Sequence, residues 1–261
     1  MFKYGFRATN QKNIESAINE CAKNGFSVLE IHFSAPQFFP EHFSQASINK
    51  IRKLVKKFGI TLQTHTEIGQ SLIYSNTELR SAAKRVLEQQ LSLSKKLGSR
   101  CLTIHIGKAP QYHTGENGEV RNEILYPRFY SELFKDSLSH LSQLSTEYIF
   151  ICIENDQLLE IYQPILQKFL NKGKLFLTWD IMKSFSYKPN TTVKSDQLKF
   201  ARNNLKFIKN LHISGPRHGG IEGFEKDLKT QLKFFTDTDI PVIIEIVSLK
   251  EAVKAKKIIA T

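Results

Sequence analysis

Short apolar runs alternate along the chain with longer segments in which apolar residues recur at helical spacing, and the alternation repeats eight times. The short runs lie at 2–6, 27–32, 60–64, 101–104, 149–153, 175–179, 207–211 and 241–244, and their Ile, Leu, Val and Phe content suits buried parallel strands. The longer segments predict helices at 14–22, 46–58, 77–97, from Tyr126-Pro127 onward, 157–170, 194–202 and 224–235. Gly25, Gly59 and Gly98 each follow a predicted helix where a left-handed cap can end it, and Asn76 stands as an N-cap. Ser248-Leu249-Lys250-Glu251 is a capping box that opens a last helix. Strand and helix in alternation are the pattern of βα units around a parallel sheet. Eight such units in 261 residues predict an α/β fold, a single (β/α)8 TIM barrel, for which about 250 residues are typical. One domain over 1–261 is the expectation.

Six consecutive strand candidates end on a side chain that can bind a metal: His65, His105, Glu154, Asp180, His212 and Glu245. In a closed parallel barrel the carboxyl ends of the strands meet at one mouth, where active sites of such barrels are built. Imidazoles and carboxylates converging there predict a divalent-metal site, and three carboxylates with one imidazole form a hard donor set suited to Mn²⁺, Mg²⁺ or Co²⁺. His32 and His113, each taken alone, are left unassigned. Glu30 either faces the mouth or pairs with Arg7, Asn155 is a candidate for orienting Glu154 and Asp180, and Trp179 reads as packing or as a second orienting group.

Two predicted mouth loops are long. The one at 106–125 contains Gly115-Glu116-Asn117-Gly118-Glu119, and its Asn-Gly pair predicts a hairpin beside His105. The other, at 214–223, carries four glycines, which predict backbone mobility or close approach to a ligand. Either could act as a lid.

The charge of +12 and pI near 9.5 raise the question of nucleic acid. The excess is mostly lysine spread over predicted helices, including Lys53, Lys56, Lys57, Lys95 and Lys96, and this reads as a solvated exterior. Cys21, Cys101 and Cys152 have no C-x-x-C spacing, and the last two lie in apolar strands, so neither a disulfide nor a thiolate metal site is expected. No leader precedes the first strand and no apolar run approaches the roughly 18 residues of a membrane span. A cytoplasmic protein with no membrane partner is the expectation.

The ordered set His65, His105, Ile153-Glu154-Asn155, Asp180, Leu211-His212-Ile213, His218 and Ile244-Glu245, with Ser248-Leu249-Lys250-Glu251-Ala252 after it, resembles the xylose-isomerase-like TIM barrels. That superfamily, also called AP endonuclease family 2, holds sugar isomerases, sugar epimerases and the endonuclease IV group. The resemblance implies that Glu154, Asp180, His212 and Glu245 hold one divalent ion. Its endonuclease IV branch implies a second, zinc, at His65 and His105 with Glu154 bridging. That branch also has a third zinc held by a histidine where this chain has Lys183, and by an Asp-x-His pair where it reads Pro216-Arg217-His218. Lys183 and Pro216 cannot replace those ligands, which weakens the nucleic-acid reading. Lys183, Arg217 and His218 stand instead where related epimerases hold substrate oxygens, and their charge suits an acidic sugar or sugar phosphate.

The reading that follows is a metal-dependent isomerase or epimerase of a sugar or sugar phosphate, working through an enediolate with Glu154 and Glu245 as the acid/base pair. A nucleic-acid phosphoesterase is the alternative, with one or two ions drawn from Mn, Mg, Co or Zn in either case. A barrel that binds metal or sugar without turnover is the third reading.

Overall fold

The structure, a computed structural model, describes residues 2–67, 69–109, 111–113, 119–156, 158–184, 195–236 and 238–260. Its central sheet is built from β1 (Tyr4–Ala8), β2 (Val28–His32), β3 (Thr61–His65), β4 (Cys101–Ile104), β7 (Phe150–Glu154), β8 (Phe176–Asp180), β9 (Ile208–Ile213) and β10 (Val242–Ile244). These eight pair in parallel in chain order, and β10 returns to β1, so the barrel is closed. The intervening β5 (Gln111–His113) and β6 (Glu119–Arg121) form a separate antiparallel hairpin, as the Asn-Gly signal predicts, while residues 114–118 lie outside the described ones.

Helices alternate with the strands: α1 (Ile14–Lys23), α2 (Gln45–Phe58), α3 (Thr77–Leu97), α4 (Asn122–Leu125), α5 (Pro127–Leu144), α6 (Gln163–Asn171), α7 (Ser195–Asn203), α8 (Glu225–Leu232) and α9 (Leu249–Ala260). The strongest local signals set the cleanest ends. Asn76 accepts the Leu79 N–H at the start of α3 and Gly98, at φ 79°, ends it. Two predicted helices are shorter than the pattern implied. α6 begins at Gln163 after a 3-10 turn over Glu160–Tyr162, because Pro164 has no N–H to give a preceding turn and fits only the first turn. α8 ends at Leu232 and passes into a 3-10 turn over Lys233–Phe235.

The sequence pattern placed the first strand at 2–6, whereas it runs Tyr4–Ala8, where Tyr4 pairs with Val242 and Ala8 with Ile31. Pairing with both neighbours sets this register, and local apolarity does not reveal it. The shift brings Arg7 into the barrel.

The registers divide each strand into two faces. Outward residues such as Leu29, Ile31, Ile151, Ile153, Leu177 and Trp179 join Ile14, Leu91, Leu138 and Leu166 of the helices in one apolar core. Trp179 is thus a packing residue. The inward row is different, since Gly5, Glu30, Gln63, Thr103, Cys152, Thr178 and Asn210 make a largely polar layer across the middle of the barrel. Thr103 and Thr178 share a hydrogen bond of 2.7 Å inside it.

Gly5 shows how little space this layer leaves. A methyl group there would lie 2.6 Å from the Val28 carbonyl oxygen and 2.7 Å from Ile243 Cδ1. Gly5→Ala should therefore destabilise the barrel by about 1–3 kcal/mol. Urea unfolding checks this as a lower midpoint at unchanged slope.

Candidate functional site

The next inward layer, at the carboxyl ends of the strands, is polar all the way round. Arg7, His32, His65, His105, Glu154, Asp180, His212 and Glu245 come one from each strand or its end, and all but His105, at 12 %, are under 9 % exposed. All six residues expected at the mouth are brought together, and Arg7 and His32 complete the ring.

Glu154 is its hub. Its Oε2 lies 3.2 Å from His65 Nε2 and 2.5 Å from His105 Nε2, while Oε1 is 3.5 Å from His212 Nδ1. Burial pushes this carboxyl up, but His105, His212 and His65 outweigh it and hold Glu154 well below the usual carboxylate range. Glu245 is held low in the same way, with burial opposed by His212 at 3.2 Å and the Arg7 guanidinium at 3.1 Å. Among the described residues no cation contacts Asp180 so closely, and Lys183 and His212 act on it only from a distance. Burial, then Glu154 and Glu245, push its carboxyl up to about 7.

Neighbouring groups aim these side chains. Asn155 donates to the Asp180 carbonyl at 3.0 Å and accepts the Asp180 N–H at 2.7 Å, so it clamps the backbone that carries the carboxylate. His65 Nδ1 donates to the Thr66 carbonyl at 2.8 Å, which fixes the ring so that Nε2 faces Glu154. Glu30 lies one layer down, fully buried, and approaches His212 Nε2 at 3.0 Å. It pairs with His212 and not with Arg7, and so turns His212 Nδ1 toward Glu154 and Glu245. His32 stacks on His65 at 4.3 Å and accepts the Ser34 N–H on Nδ1. Burial and the neighbouring His65 and Arg7 depress its pKa well below the ordinary histidine value.

The donor set fits a divalent ion. One ligand atom each from Glu154, Asp180 and Glu245 lies within 4.8 Å of the others, and the same holds for His65, His212 and Glu245 and for His65, His105 and Glu154. Asp180 Oδ2 is buried without a hydrogen-bond partner among the described residues, and His212 Nδ1 meets Glu245 and Glu154 as ion pairs without well-aligned hydrogen bonds. Both atoms belong to this acidic cluster, and a cation would satisfy both.

Lys183, Arg217 and His218 line one side of the mouth with Asp180 and Ser214, around a cavity of about 530 Å³. Lys183 Nζ is 3.4 Å from Asp156, whose other oxygen is 3.4 Å from His105 Nδ1, so its charge is partly neutralised. Asp156 was not singled out from sequence, although it directly follows Glu154-Asn155. In the 214–223 loop, Arg217 and His218 adopt left-handed φ of 55° and 57°, and His218 Nδ1 reaches to 3.8 Å of Glu245. The glycines serve close approach, since a Cβ on Gly215 would collide with the Gly220 carbonyl. A second recess of about 500 Å³ opens beside Arg7, Thr9, His32 and Gln37.

The sequence profile of the xylose isomerase-like TIM barrels matches residues 18–258, and the chain belongs to that family. Solved structures share the fold at low identity. Endonuclease IV from Thermus thermophilus is 16 % identical, with a TM-score of 0.73 over 99 % of this chain and 97 % of its own. A D-tagatose 3-epimerase-like protein is 18 % identical, with a TM-score of 0.72 over 99 % and 96 %. The 3-keto-D-glucoside 4-epimerase of E. coli is 14 % identical, with a TM-score of 0.70 over 100 % and 98 %. No curated protein matches the sequence significantly. Among the described residues, no helix is long and apolar enough to cross a membrane.

Because Asp180 and the raised His105 and His212 carry protons in the absence of a cation, metal binding should release protons near pH 7 and tighten as pH rises. Calorimetric titration with Mn²⁺ in two buffers of different ionisation enthalpy measures the release. Asp180→Asn should reduce it. At 100 times Kd the ion should stabilise the fold by about 2.7 kcal/mol.

Proposed function

We propose that this chain is a divalent-metal-dependent isomerase or epimerase of a sugar or sugar phosphate. The observation that carries the reading is the convergence of three buried carboxylates, Glu154, Asp180 and Glu245, with His212 beneath a substrate-sized cavity. These four residues would hold the ion, and its contribution would be Lewis-acid stabilisation of charge developing on a substrate carbonyl oxygen.

The chain's own groups divide the remaining work. Glu154 and Glu245 both approach His212 Nδ1 and differ in what faces them. The Arg7 guanidinium is a permanent cation, which keeps Glu245 ionised and weakly basic. Two counter-charges of Glu154, His105 and His212, are imidazoles, which can give up their protons, so its basicity is the adjustable one. Glu154 is the better acceptor for the C–H proton beside the carbonyl, and Glu245 faces it across the site as the second proton carrier. Lys183, Arg217 and His218 would hold the far oxygens of the substrate, with the 214–223 loop limiting water.

One observation favours a second reading. His65, His105 and Glu154 form a separate ligand group that shares Glu154 with the first, as a two-ion phosphoesterase would need. Lys183 and Pro216 place no ligand for a third ion beside it.

The test uses a panel of ketohexoses and their phosphates in D₂O with Mn²⁺, followed by proton NMR. Loss of the C–H signal beside the carbonyl is expected for at least one sugar, and Glu154→Gln should slow it about 10²–10⁴-fold while the variant stays folded. Unchanged exchange in that variant would remove Glu154 from the mechanism. Two zinc ions per chain with chelator-sensitive incision of an abasic-site duplex, lost in Asp180→Asn, would put hydrolysis first.

A further inference from the structure

The opposite end of the barrel, where the strands begin, holds a cavity of about 550 Å³ that the chemistry at the mouth does not use. Lys3, Arg100, Lys206 and Lys209 stand around it, against one carboxylate, Asp239. Asp239 is 99 % exposed and lies 3.9 Å from Lys3, so it does little for the other three. Arg100 and Lys209 gather on one aromatic ring, with the guanidinium carbon 5.2 Å and the ammonium nitrogen 5.5 Å from the centre of Phe150. Lys209 Nζ is also 5.3 Å from the centre of Phe176 and donates to the Lys206 carbonyl at 3.0 Å. Cation–π attraction offsets part of the repulsion between these charges, and an anion between them would offset the rest.

The floor of the cavity carries an independent sign of a ligand. Gln63 lines it at only 3 % exposure, and its Oε1 is buried with no hydrogen-bond partner among the described residues. An unpaired buried amide is costly, and native proteins rarely leave one without a water or ligand to meet it. Gln63 sits on β3 one inward position below His65, so a group reaching it must enter from the strand-start end.

We propose that this cavity binds a small phosphorylated molecule, with its phosphate on Arg100, Lys206 and Lys209 and a hydroxyl-bearing portion extending to Gln63. The three cations suit a dianion, and the Arg100 fork suits phosphate oxygens. The concave shape and the volume match small-molecule sites of roughly 300–1,000 Å³ and not the open track that a nucleic-acid backbone needs. The site is separate from the proposed catalysis, and its test stands whether or not that reading holds.

The experiment is calorimetric titration of the full-length chain with inorganic phosphate and with glycerol phosphate at about 0.1 M ionic strength, a salt level that screens diffuse surface charge. One site governed by Arg100 and Lys209 is expected per chain, distinct from any phosphate held at the mouth, with glycerol phosphate binding there more tightly than inorganic phosphate. The double variant Arg100→Gln/Lys209→Gln should lose tenfold or more in affinity for both probes. Gln63→Met should abolish the advantage of glycerol phosphate alone. Arg217→Gln can weaken only phosphate held at the mouth and should leave the affinity of the Arg100/Lys209 site unchanged. Arg100 is exposed and Lys209 half-buried, so the double variant should fold, and its unfolding curve checks that. The proposal is overturned if neither probe saturates, if the double variant binds as the parent does, if Arg217→Gln abolishes binding, or if glycerol phosphate has no advantage to lose.

Discussion

Every charge in the mouth ring must find its counter-charge inside the ring, because bulk water scarcely reaches it. Glu154 is compensated three times over by His65, His105 and His212, and Glu245 twice by His212 and Arg7. Asp180 is left with its own backbone contacts and the more distant Lys183. The imbalance is local and directional. It creates a place where a cation would be stabilised by three carboxylates while the imidazoles keep the barrel from being grossly anionic in its absence.

This constraint explains why the middle layer of the barrel is polar. Apolar residues beneath the ring would leave His212 Nε2 unpaired, whereas Glu30 and Asn210 meet it and each other there. A functional requirement at the top of the barrel thus propagates one layer downward, and the aliphatic core is displaced to the outside of the strands.

The fold and six of the eight ring members were legible in the sequence because both depend on local pattern. Each strand is a short apolar run that ends on one ionisable residue, and α3 is bracketed by an Asn cap and a stop glycine that need no tertiary information. What was not legible depends on register or on side-chain reach. Arg7 lay beyond the predicted end of the first strand, because pairing with β2 and β10 sets that strand's true register. Glu30 looked equally suited to Arg7 or the mouth, and only the three-dimensional crossing to β9 selects His212. His32 offered no signal beyond its position beside His65 once the strands pair. In the glycine-rich loop Arg217 and His218 are left-handed as well as Gly223, and the glycine count alone did not reveal those two.

Because each ring member comes from a different strand, no part of the barrel contains the site. The Arg7–Glu245 contact spans 238 positions and joins the first strand to the last, and His212 reaches Glu30 across 182. A hairpin, a half-barrel or a chain with its final strand unpaired has at most fragments of the ligand set. An ion bound at the ring could therefore not act as a nucleus for folding. It would recognise only a barrel whose first and last strands have met, so its binding energy would be added to the closed state alone and would enforce an all-or-none character on the whole circle.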